Sequence, residues 1–310
     1  MDNELILFDR LNIIRDTINK YGEENFYISF SGGKDSTLLH HLIDEALPNN
    51  KIPRVFINTG IEYTDIVKFV REMADNDDRF IIYNSKVHIP SMLQKYGYPF
   101  KSKTHAHYLG VYQRNGLTDY IKKYLKGVKE DGSRSIFSCP DRLKYQFDES
   151  FSIPISEKCC DNLKKKPLHS FEKEYKKNIG IIGTRTAEGG ARSIRKGCTV
   201  FDSKRNLKTF KPINPCTDEW CDWYIESRNI KLCKLYYPPY NFTRTGCKGC
   251  PFAINLQEQL ETMEKLLPSE YKQCNILWKP VYDEYRRINY RLKEAEKDER
   301  KIYSTSKFIR

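Results

Sequence analysis

The chain has 310 residues, which is enough for one full-sized hydrophobic core, and its Lys and Arg residues outnumber Asp and Glu by 53 to 41. The net charge of +12 favours polyanionic partners such as nucleotides, DNA or RNA, and a solvated basic surface explains it equally well. No stretch approaches about 18 uninterrupted apolar residues and residues 1–10 already contain acids, so we expect a cytoplasmic protein without a membrane span or signal peptide.

Predicted strands and helices alternate in the first part of the chain. Residues 26–30 are β-prone, Gly32 and Gly33 interrupt them, and apolar residues then recur at helical spacing over 38–43. The same order follows residues 55–57, and residues 80–83 give a third strand. This alternation predicts an α/β fold with a doubly wound, mostly parallel sheet, whose ligands lie beyond the carboxyl ends of the strands.

The rest of the chain is less regular. Residues 96–151 predict an insertion of short helices and loops, and residues 179–183 predict another buried strand. Residues 256–267 and 278–292 predict two terminal helices separated by Pro268. We therefore expect a nucleotide-binding domain at 1–188, with the insertion at about 96–151, and a smaller cysteine-rich subdomain with the C-terminal helices at 189–310.

A candidate phosphate-binding loop lies between the first predicted strand and helix, and its sequence is Ser31-Gly32-Gly33-Lys34-Asp35-Ser36. A glycine pair at this position lets backbone N–H groups converge on a phosphate, and the helix N-terminus adds a positive dipole. Lys34 supplies positive charge, and Asp35 can cap the helix or help to hold Mg²⁺. A Walker A loop needs Ser or Thr directly after the lysine, and Asp35 stands there instead. An ordinary glycine turn is the alternative.

In this position the run resembles the loop of the PP-loop ATP pyrophosphatases, which belong to the adenine nucleotide alpha hydrolase-like superfamily. The resemblance implies a Rossmann-like domain that binds ATP with Mg²⁺, holds the β and γ phosphates together and cleaves between the α and β phosphates. It further implies that an acceptor is adenylated with release of pyrophosphate, and that Lys34 and Asp35 are catalytic.

Later motifs resemble the phosphoadenosine phosphosulfate (PAPS) reductase family from about residue 26 to 252. They are Asn58-Thr59-Gly60-Ile61-Glu62, Gly183-Thr184-Arg185 with Glu188 and Arg192, Lys211-Pro212-Ile213, and Leu235-Tyr236. The resemblance implies that Arg185 and Arg192 line the nucleotide cleft, that Arg185 is catalytic, and that Asn58, Thr59, Gly60 and Gly183 contribute to nucleotide binding. A pair of surface cations is the alternative for the two arginines.

Ten cysteines in a cytoplasmic protein normally stay reduced, which favours metal ligation or redox chemistry. Cys159 and Cys160 are adjacent, and Cys247 and Cys250 form a C-x-x-C motif about eighty residues later. Four thiolates suit either Zn²⁺ or an iron–sulfur cluster, although an adjacent pair is less usual for tetrahedral zinc. The set resembles the 4Fe-4S ligands of adenylylsulfate reductases in the same family. Unliganded thiols are a further alternative.

Two features bear on the reaction. The reductases carry a nucleophilic cysteine in a C-terminal tail, whereas residues 306–310 contain none and Cys274 lies among helix-forming residues. The complete phosphate loop favours ATP as the substrate. We therefore expect an adenylating enzyme of sulfur transfer or of nucleic-acid thiolation or phosphorothioation, with DNA or RNA and a sulfur donor such as a cysteine desulfurase as partners. An iron–sulfur APS/PAPS reductase and a non-catalytic nucleic-acid-binding module with a structural metal site are the alternatives.

Overall fold

A computed structural model describes residues 2–135, 137–189, 193 and 197–293. Its six strands are β1 (Phe26–Ser29), β2 (Arg54–Asn58), β3 (Phe80–Asn84), β4 (Ile179–Ile181), β5 (Thr199–Phe201) and β6 (Leu207–Phe210). They form one sheet in the order β3-β2-β1-β4-β6-β5. All neighbouring pairs are parallel except β5 with β6. The predicted mostly parallel α/β sheet is therefore confirmed.

The helices fall before, between and after the strands. They are α1 (Asn3–Tyr21), α2 (Lys34–Ala46), α3 (Thr64–Asn76), α4 (Ile89–Tyr96), α5 (Lys103–Asn115), α6 (Asp119–Lys126), α7 (Lys158–Cys160), α8 (Lys166–Glu174), α9 (Asp218–Ser227), α10 (Leu256–Leu266), α11 (Pro268–Leu277) and α12 (Lys279–Arg287). A π-helical turn, Asp161–Lys165, joins α7 to α8. None of the described helices is both long and apolar enough to cross a membrane.

The chain divides into two compact units. The first unit contains the chain up to Met92 together with Cys160–Lys248, and the second contains Leu93–Cys159 and the chain from Gly249. The first unit holds the entire sheet. The domain boundary predicted at 188/189 falls inside this unit, because β5 and β6 come after it and join the same sheet. The C-terminal helices instead share the second unit with the predicted insertion.

Helices cover both faces of the sheet in the first unit. Alternate side chains of a strand point to opposite faces, so Phe26 and Ile28 of β1 join one core while Tyr27 joins the other. The larger core includes buried residues of α1, α2 and α9, and the smaller one includes Phe171 of α8. Each such large apolar side chain contributes roughly 1.5–3 kcal/mol when it is fully buried. The carboxyl ends of the parallel strands are thereby held at one edge, where the site lies.

The second unit is helical. The predicted short helices of the insertion are present as α5 and α6, and Phe100, just before α5, packs its ring against Tyr285 of α12 with centroids 4.5 Å apart. The two predicted terminal helices are present as α10 and α12, but the predicted connection between them is wrong, because Pro268 begins a third helix, α11. Proline is well tolerated in the first turn of a helix, where its missing N–H has no intrahelical partner.

Candidate nucleotide-binding site

The predicted phosphate loop leads from β1 into α2. Gly33 is the N-cap of α2, and Gly32 has a φ of 69°. A Cβ atom on Gly32 would also lie 2.9 Å from Cγ2 of Ile66. Both its backbone conformation and its surroundings therefore require glycine at this position. The N-terminal amides of α2 remain at the edge of the sheet where anions bind to α/β folds.

Hydrogen bonds within the loop fix its shape. The backbone N–H of Ser31 donates to the Ser36 hydroxyl over 3.2 Å, and that hydroxyl donates to the carbonyl of Gly33 over 2.9 Å. The hydroxyl of Thr37 donates to the same carbonyl over 3.0 Å. The hydroxyl oxygens of Ser31 and Ser36 lie 3.0 Å apart. The two serines of the motif therefore shape the loop as well as supplying hydroxyl groups.

Two side chains from later in the chain contact Lys34. Its backbone N–H donates to the hydroxyl of Tyr236 over 3.0 Å, and its ammonium forms an ion pair with Asp222 of α9. The Tyr236 hydroxyl also lies 2.6 Å from Oγ1 of Thr245. The sequence predicts no role for Thr245 or Asp222, and Tyr236 enters only through the family resemblance. Nothing local in the sequence indicates that these residues meet the loop.

Arg185 contacts two carboxylates beside the phosphate loop. Its Nε donates to Oδ1 of Asp35 over 3.0 Å, and one terminal nitrogen donates to Oδ1 of Asp218 over 2.7 Å. The residue is only 5% exposed. Because Asp35 lies in the first turn of α2 and Asp218 begins α9, the guanidinium joins the N-terminal turns of two helices. Arg185 still lines the cavity beside the loop, but both carboxylates already neutralise its charge.

Gly183 allows the end of β4 to approach this loop closely. A Cβ atom there would lie 2.9 Å from the carbonyl oxygen of Asp35. Real Cβ atoms do not come this near to backbone, so a larger residue would displace the helix N-terminus or the strand end. This close approach explains the glycine at the predicted position.

Two adjoining cavities open at this edge of the sheet. One of about 300 Å³ is polar, and its walls include the loop from Gly33 to Ser36, Gly183–Arg185 and Thr243–Thr245. The other, of about 150 Å³, is bounded mainly by apolar residues, namely Phe30, Val55, Phe56, Ile57, Ile66 and Leu168. The two cavities share Ser29, Ser31 and Thr245. A polar and an apolar compartment side by side suit the phosphates and the base of a nucleotide.

Glu62 is a buried acid on the wall of the apolar cavity, and it is 7% exposed. The backbone N–H and hydroxyl of Thr59 donate to its carboxylate over 2.9 and 2.7 Å. Thr59 therefore holds the Glu62 carboxylate in position and does not itself line the cavity. Asn58 bonds to Asn84 of β3, and among the described residues neither Asn58 nor Gly60 lines either cavity. Arg192 lies outside the described residues.

The four predicted metal ligands are divided between the units. Cys160 and Cys247 belong to the first unit, and Cys159 and Cys250 to the second. Burial raises the pKa of the Cys247 thiol, while the adjacent Lys164 ammonium opposes that shift. The π-helical turn after Cys160 also places Lys164 and Lys165 on the wall of the apolar cavity. Within the described ranges, no three His, Cys, Asp or Glu residues form a group that could hold a metal ion.

Residues 25–147 and 136–253 match the family model of the phosphoadenosine phosphosulfate reductase domain. The chain belongs to this family. Together these two matches include the phosphate loop, Arg185, Tyr236 and the C-x-x-C motif. The predicted membership of the PAPS reductase family is thereby confirmed.

This PAPS reductase domain protein is similar to one curated protein and to several solved structures. A stretch of 144 residues is 30% identical to an uncharacterized protein of Methanocaldococcus jannaschii, covering 46% of this chain and 34% of that protein. The chain therefore spans about a third of that relative's length. A PAPS reductase from Candida auris, solved as a phosphate complex, is 13% identical over 76% of this chain and 93% of that one, with a TM-score of 0.42.

A third relative is the U34-tRNA thiolase NcsA from Methanococcus maripaludis, solved with its 4Fe-4S cluster. It is 17% identical over 93% of this chain and 80% of that chain, with a TM-score of 0.38. Neither structural likeness assigns a reaction to this member of the PAPS reductase family.

The alternative nucleophile, Cys274, lies within α11 and is 1% exposed. A Cβ atom on Gly249 would lie 2.8 Å from its sulfur, so backbone covers the thiol closely. Thiol attack on a bound substrate requires an accessible, mobile thiolate. This packing therefore gives Cys274 a structural role in a PAPS reductase domain protein.

Proposed function

We propose that this protein binds Mg²⁺-ATP and transfers its adenylyl group to an acceptor oxygen, with release of pyrophosphate. The observation that carries this proposal is the complete loop from Ser31 to Ser36, placed between β1 and α2 on the wall of the polar cavity. The apolar cavity that adjoins it has the character of a nucleobase site. ATP would thus lie with its triphosphate at the N-terminus of α2.

In the proposed step, a lone pair of the acceptor oxygen forms a new bond to the α phosphorus. The bond from that phosphorus to the oxygen bridging to the β phosphate breaks, and pyrophosphate leaves with the bonding electrons. The proton of the acceptor is released to solvent or to a basic group of the acceptor. The protein contributes mainly by positioning the phosphates and stabilising their charge.

Lys34 and the amides of α2 are the groups that would hold the leaving pyrophosphate. The lysine would exchange its partner Asp222 for a phosphate, and its backbone N–H would exchange the hydroxyl of Tyr236. In both exchanges a phosphate replaces a less charged partner, the Asp222 carboxylate in one case and the neutral Tyr236 hydroxyl in the other. The higher charge of the phosphate strengthens both hydrogen bonds.

Asp35 is the residue that would hold Mg²⁺. One of its oxygens already accepts from Arg185, and its side chain remains partly exposed to the polar cavity. Magnesium at phosphate sites commonly takes only one or two protein carboxylates, and waters and phosphate oxygens complete its octahedron. A single Asp therefore fits the ion, which when bound would neutralise charge on the phosphates. Arg185 would act as a positioning residue for Asp35.

Glu62 would accept a hydrogen bond from the nucleotide inside the apolar cavity. Its carboxylate is buried on the wall of that cavity, and a buried carboxylate without hydrogen-bond donors is costly. Thr59 supplies two donors, and a carboxylate can accept more than two hydrogen bonds. The adenine amino group and the ribose hydroxyls are the nucleotide donors of suitable size.

The test is an ATP–pyrophosphate exchange assay on anaerobically purified protein, combined with direct measurement of ATP binding. We expect ATP binding in the presence of Mg²⁺ and incorporation of labelled pyrophosphate into ATP when the acceptor is present. Absence of both binding and exchange would contradict the proposal. Conversion of adenylylsulfate or PAPS to sulfite and the corresponding adenosine nucleotide, with a thiol reductant, would instead establish the reductase alternative.

We further propose that Cys159, Cys160, Cys247 and Cys250 bind a 4Fe-4S cluster and that the adenylated acceptor receives sulfur. This proposal depends on the spacing of the cysteines, because the described residues contain no three-ligand metal group, and we assign no reaction step to the cluster. Iron and acid-labile sulfide near four per chain would support it. Zinc at about one per chain would exclude the cluster. A Cys198→Ser variant is the matched control for Cys247→Ser.

A further inference from the structure

Three tyrosine rings form a stack in the second unit. The ring of Tyr108, on α5, stacks on Tyr124 of α6 with centroids 3.9 Å and planes 5° apart. It also stacks on Tyr120, at the start of α6, with centroids 4.7 Å and planes 23° apart. Tyr124 is 3% exposed and Tyr120 is 45% exposed. The stack therefore runs from the core of this unit to an aromatic ring in solvent.

The exposed end of the stack lies in a strongly basic segment. Lys123 is three residues after Tyr120 on α6 and shares its face of the helix. Residues 101–129 contain one acid, Asp119, and seven basic residues, namely Lys101, Lys103, Arg114, Lys122, Lys123, Lys126 and Lys129. The hydrogen bond from Lys122, with the charges of Lys122, Lys123 and Lys126, lowers the pKa of Asp119. Lys122, Lys123 and Lys126 therefore form one basic surface of α6, of which Lys123 is the part beside Tyr120.

Glu157, a carboxylate near the stack, does not cancel this charge. Glu157 lies 3.1 Å from Nδ1 of His107, whose ring contacts the edge of Tyr120, and 3.5 Å from the Lys158 ammonium. Its side chain is 15% exposed. Glu157 is thus paired and largely covered, whereas Tyr120 is open to solvent and so is Lys122, which pairs with the exposed Asp119 over 3.0 Å.

We propose that Tyr120 and the lysines of α6 form a binding site for single-stranded nucleic acid. An unpaired base would stack on Tyr120 and extend the existing stack, while the neighbouring phosphates would contact Lys123 and, further around α6, Lys126 and Lys122. A duplex keeps its bases paired and cannot offer a ring face to Tyr120. An acidic protein would use the lysines but would gain little from the stack.

The inference rests on the proposed function in one respect only: it identifies single-stranded nucleic acid as the class of acceptor that is adenylated. Binding itself needs neither ATP nor turnover. The two proposals can therefore fail separately, because the tyrosine stack and its lysines lie wholly within the second unit and the phosphate loop lies within the first.

The first experiment measures fluorescence anisotropy of labelled RNA and DNA strands of about 12 nucleotides, and of their duplexes, with the full-length protein. We expect both single strands to bind more tightly than either duplex. Tyr120→Ala should weaken single-strand binding about tenfold, since a base would lose its stacking partner. Tyr120→Phe keeps the ring and should bind like the parent, which separates stacking from any effect on folding.

The second experiment reverses charge on α6. The double variant Lys122→Glu and Lys126→Glu should weaken binding at least tenfold near 0.1 M salt and reduce the salt dependence of the affinity. Lys173→Glu, an exposed residue near the end of α8, makes the same type of change elsewhere and should have little effect. Lys34→Ala should retain nucleic-acid binding while losing ATP exchange.

Three results would overturn the inference. They are equal affinity for duplex and single strand, unchanged binding by Tyr120→Ala, and equal losses for Lys173→Glu and the α6 variant. Thermal unfolding of each variant accompanies these measurements, so that a binding loss in a well-folded Tyr120→Ala protein counts in favour of the inference.

Discussion

The two compact units present their positive charge in different ways. In the first unit, Arg185 is paired with Asp35 and Asp218, and Lys34 is paired with Asp222, around a confined cavity. In the second unit, the lysines of α6 face solvent with Asp119 as their one acidic neighbour on that helix. Paired charges around a cavity suit a small anion of defined shape. Open charges beside an exposed ring suit a polymer, whose phosphates need no single geometry.

The largest expected effect tests the cavity of the first unit. Lys34→Ala should lower the rate of ATP–pyrophosphate exchange about a thousandfold, because the charge on the leaving pyrophosphate loses its nearest side-chain cation. Lys20→Ala, on α1 away from the cavity, is the control and should exchange normally. If the Lys34→Ala variant exchanges pyrophosphate at the wild-type rate, the ion pair between Lys34 and Asp222 has a purely structural role.

The second prediction concerns the stability of the second unit. His105 is fully buried, with its ring nitrogens 2.9 Å from the Tyr124 hydroxyl and 2.8 Å from Oε1 of Gln146. Burial lowers its pKa from 6.5 to about 4, although the bond to Gln146 opposes the shift. The unfolded chain therefore takes up the proton first, so stability is lost as the pH falls from 6.5 through 4. The loss should reach about 3 kcal/mol.

Urea unfolding of the wild-type and His105→Gln proteins between pH 7 and 4 measures this contribution. The variant should show a smaller fall in the free energy of unfolding, and His88→Gln, at an exposed position, should behave like wild type. His40, in the first unit, has a pKa lowered to about 3, mainly by burial, and contributes in both proteins. Identical pH dependence in wild type and His105→Gln would contradict the prediction.

The third prediction tests the close approach of β4 to the phosphate loop. Gly183→Ala should destabilise the first unit by about 2 kcal/mol and weaken ATP binding, because the added methyl group meets the carbonyl of Asp35. At Gly197 a Cβ atom would have its nearest neighbour 3.7 Å away, so Gly197→Ala is the matched control. Equal stability of the two variants, with unchanged ATP affinity, would show that the strand end tolerates displacement.

The smallest expected effect concerns the apolar cavity. Glu62→Gln should reduce the preference for ATP over ITP about tenfold if its carboxylate accepts from the adenine amino group. If it accepts from the ribose instead, the preference for ATP over 2′- or 3′-deoxy-ATP should fall by a similar factor. Glu72→Gln, at an exposed position of α3, is the control. Unchanged preferences in all three comparisons would exclude a contact between Glu62 and the nucleotide.

Local pattern was sufficient to predict the first strands, their helices and the phosphate loop, because each depends on residues close together in the sequence. Gly183 and Arg185, which the resemblance singled out, lie beside the loop, but the carboxylate partners of Arg185 were not predicted. Those partners, Asp35 and Asp218, are far apart in sequence and meet only because β4 lies beside β1. The division into units was missed for the same reason, since segments distant in the chain fold together.

The tyrosine stack shows the same limit. The spacing of Tyr120 and Tyr124 on α6 is visible in the sequence, but Tyr108 comes from a different helix, and only the packing of α5 against α6 brings its ring between them. Residues 96–151 have no regular hydrophobic repeat, so this packing could not be anticipated.

The hydroxyl of Tyr236 has a consequence for how quickly a nucleotide can come and go. It accepts a hydrogen bond from the Lys34 amide at the helix end where phosphate oxygens would bind, and Thr245 is its partner on the other side. In the proposed reaction, a departing pyrophosphate would leave behind an amide that can pair again with this hydroxyl. This hydrogen bond would offset part of the free-energy cost of leaving the amide without a partner when the product departs. Tyr236→Phe should accordingly slow pyrophosphate release while leaving the shape of the loop intact.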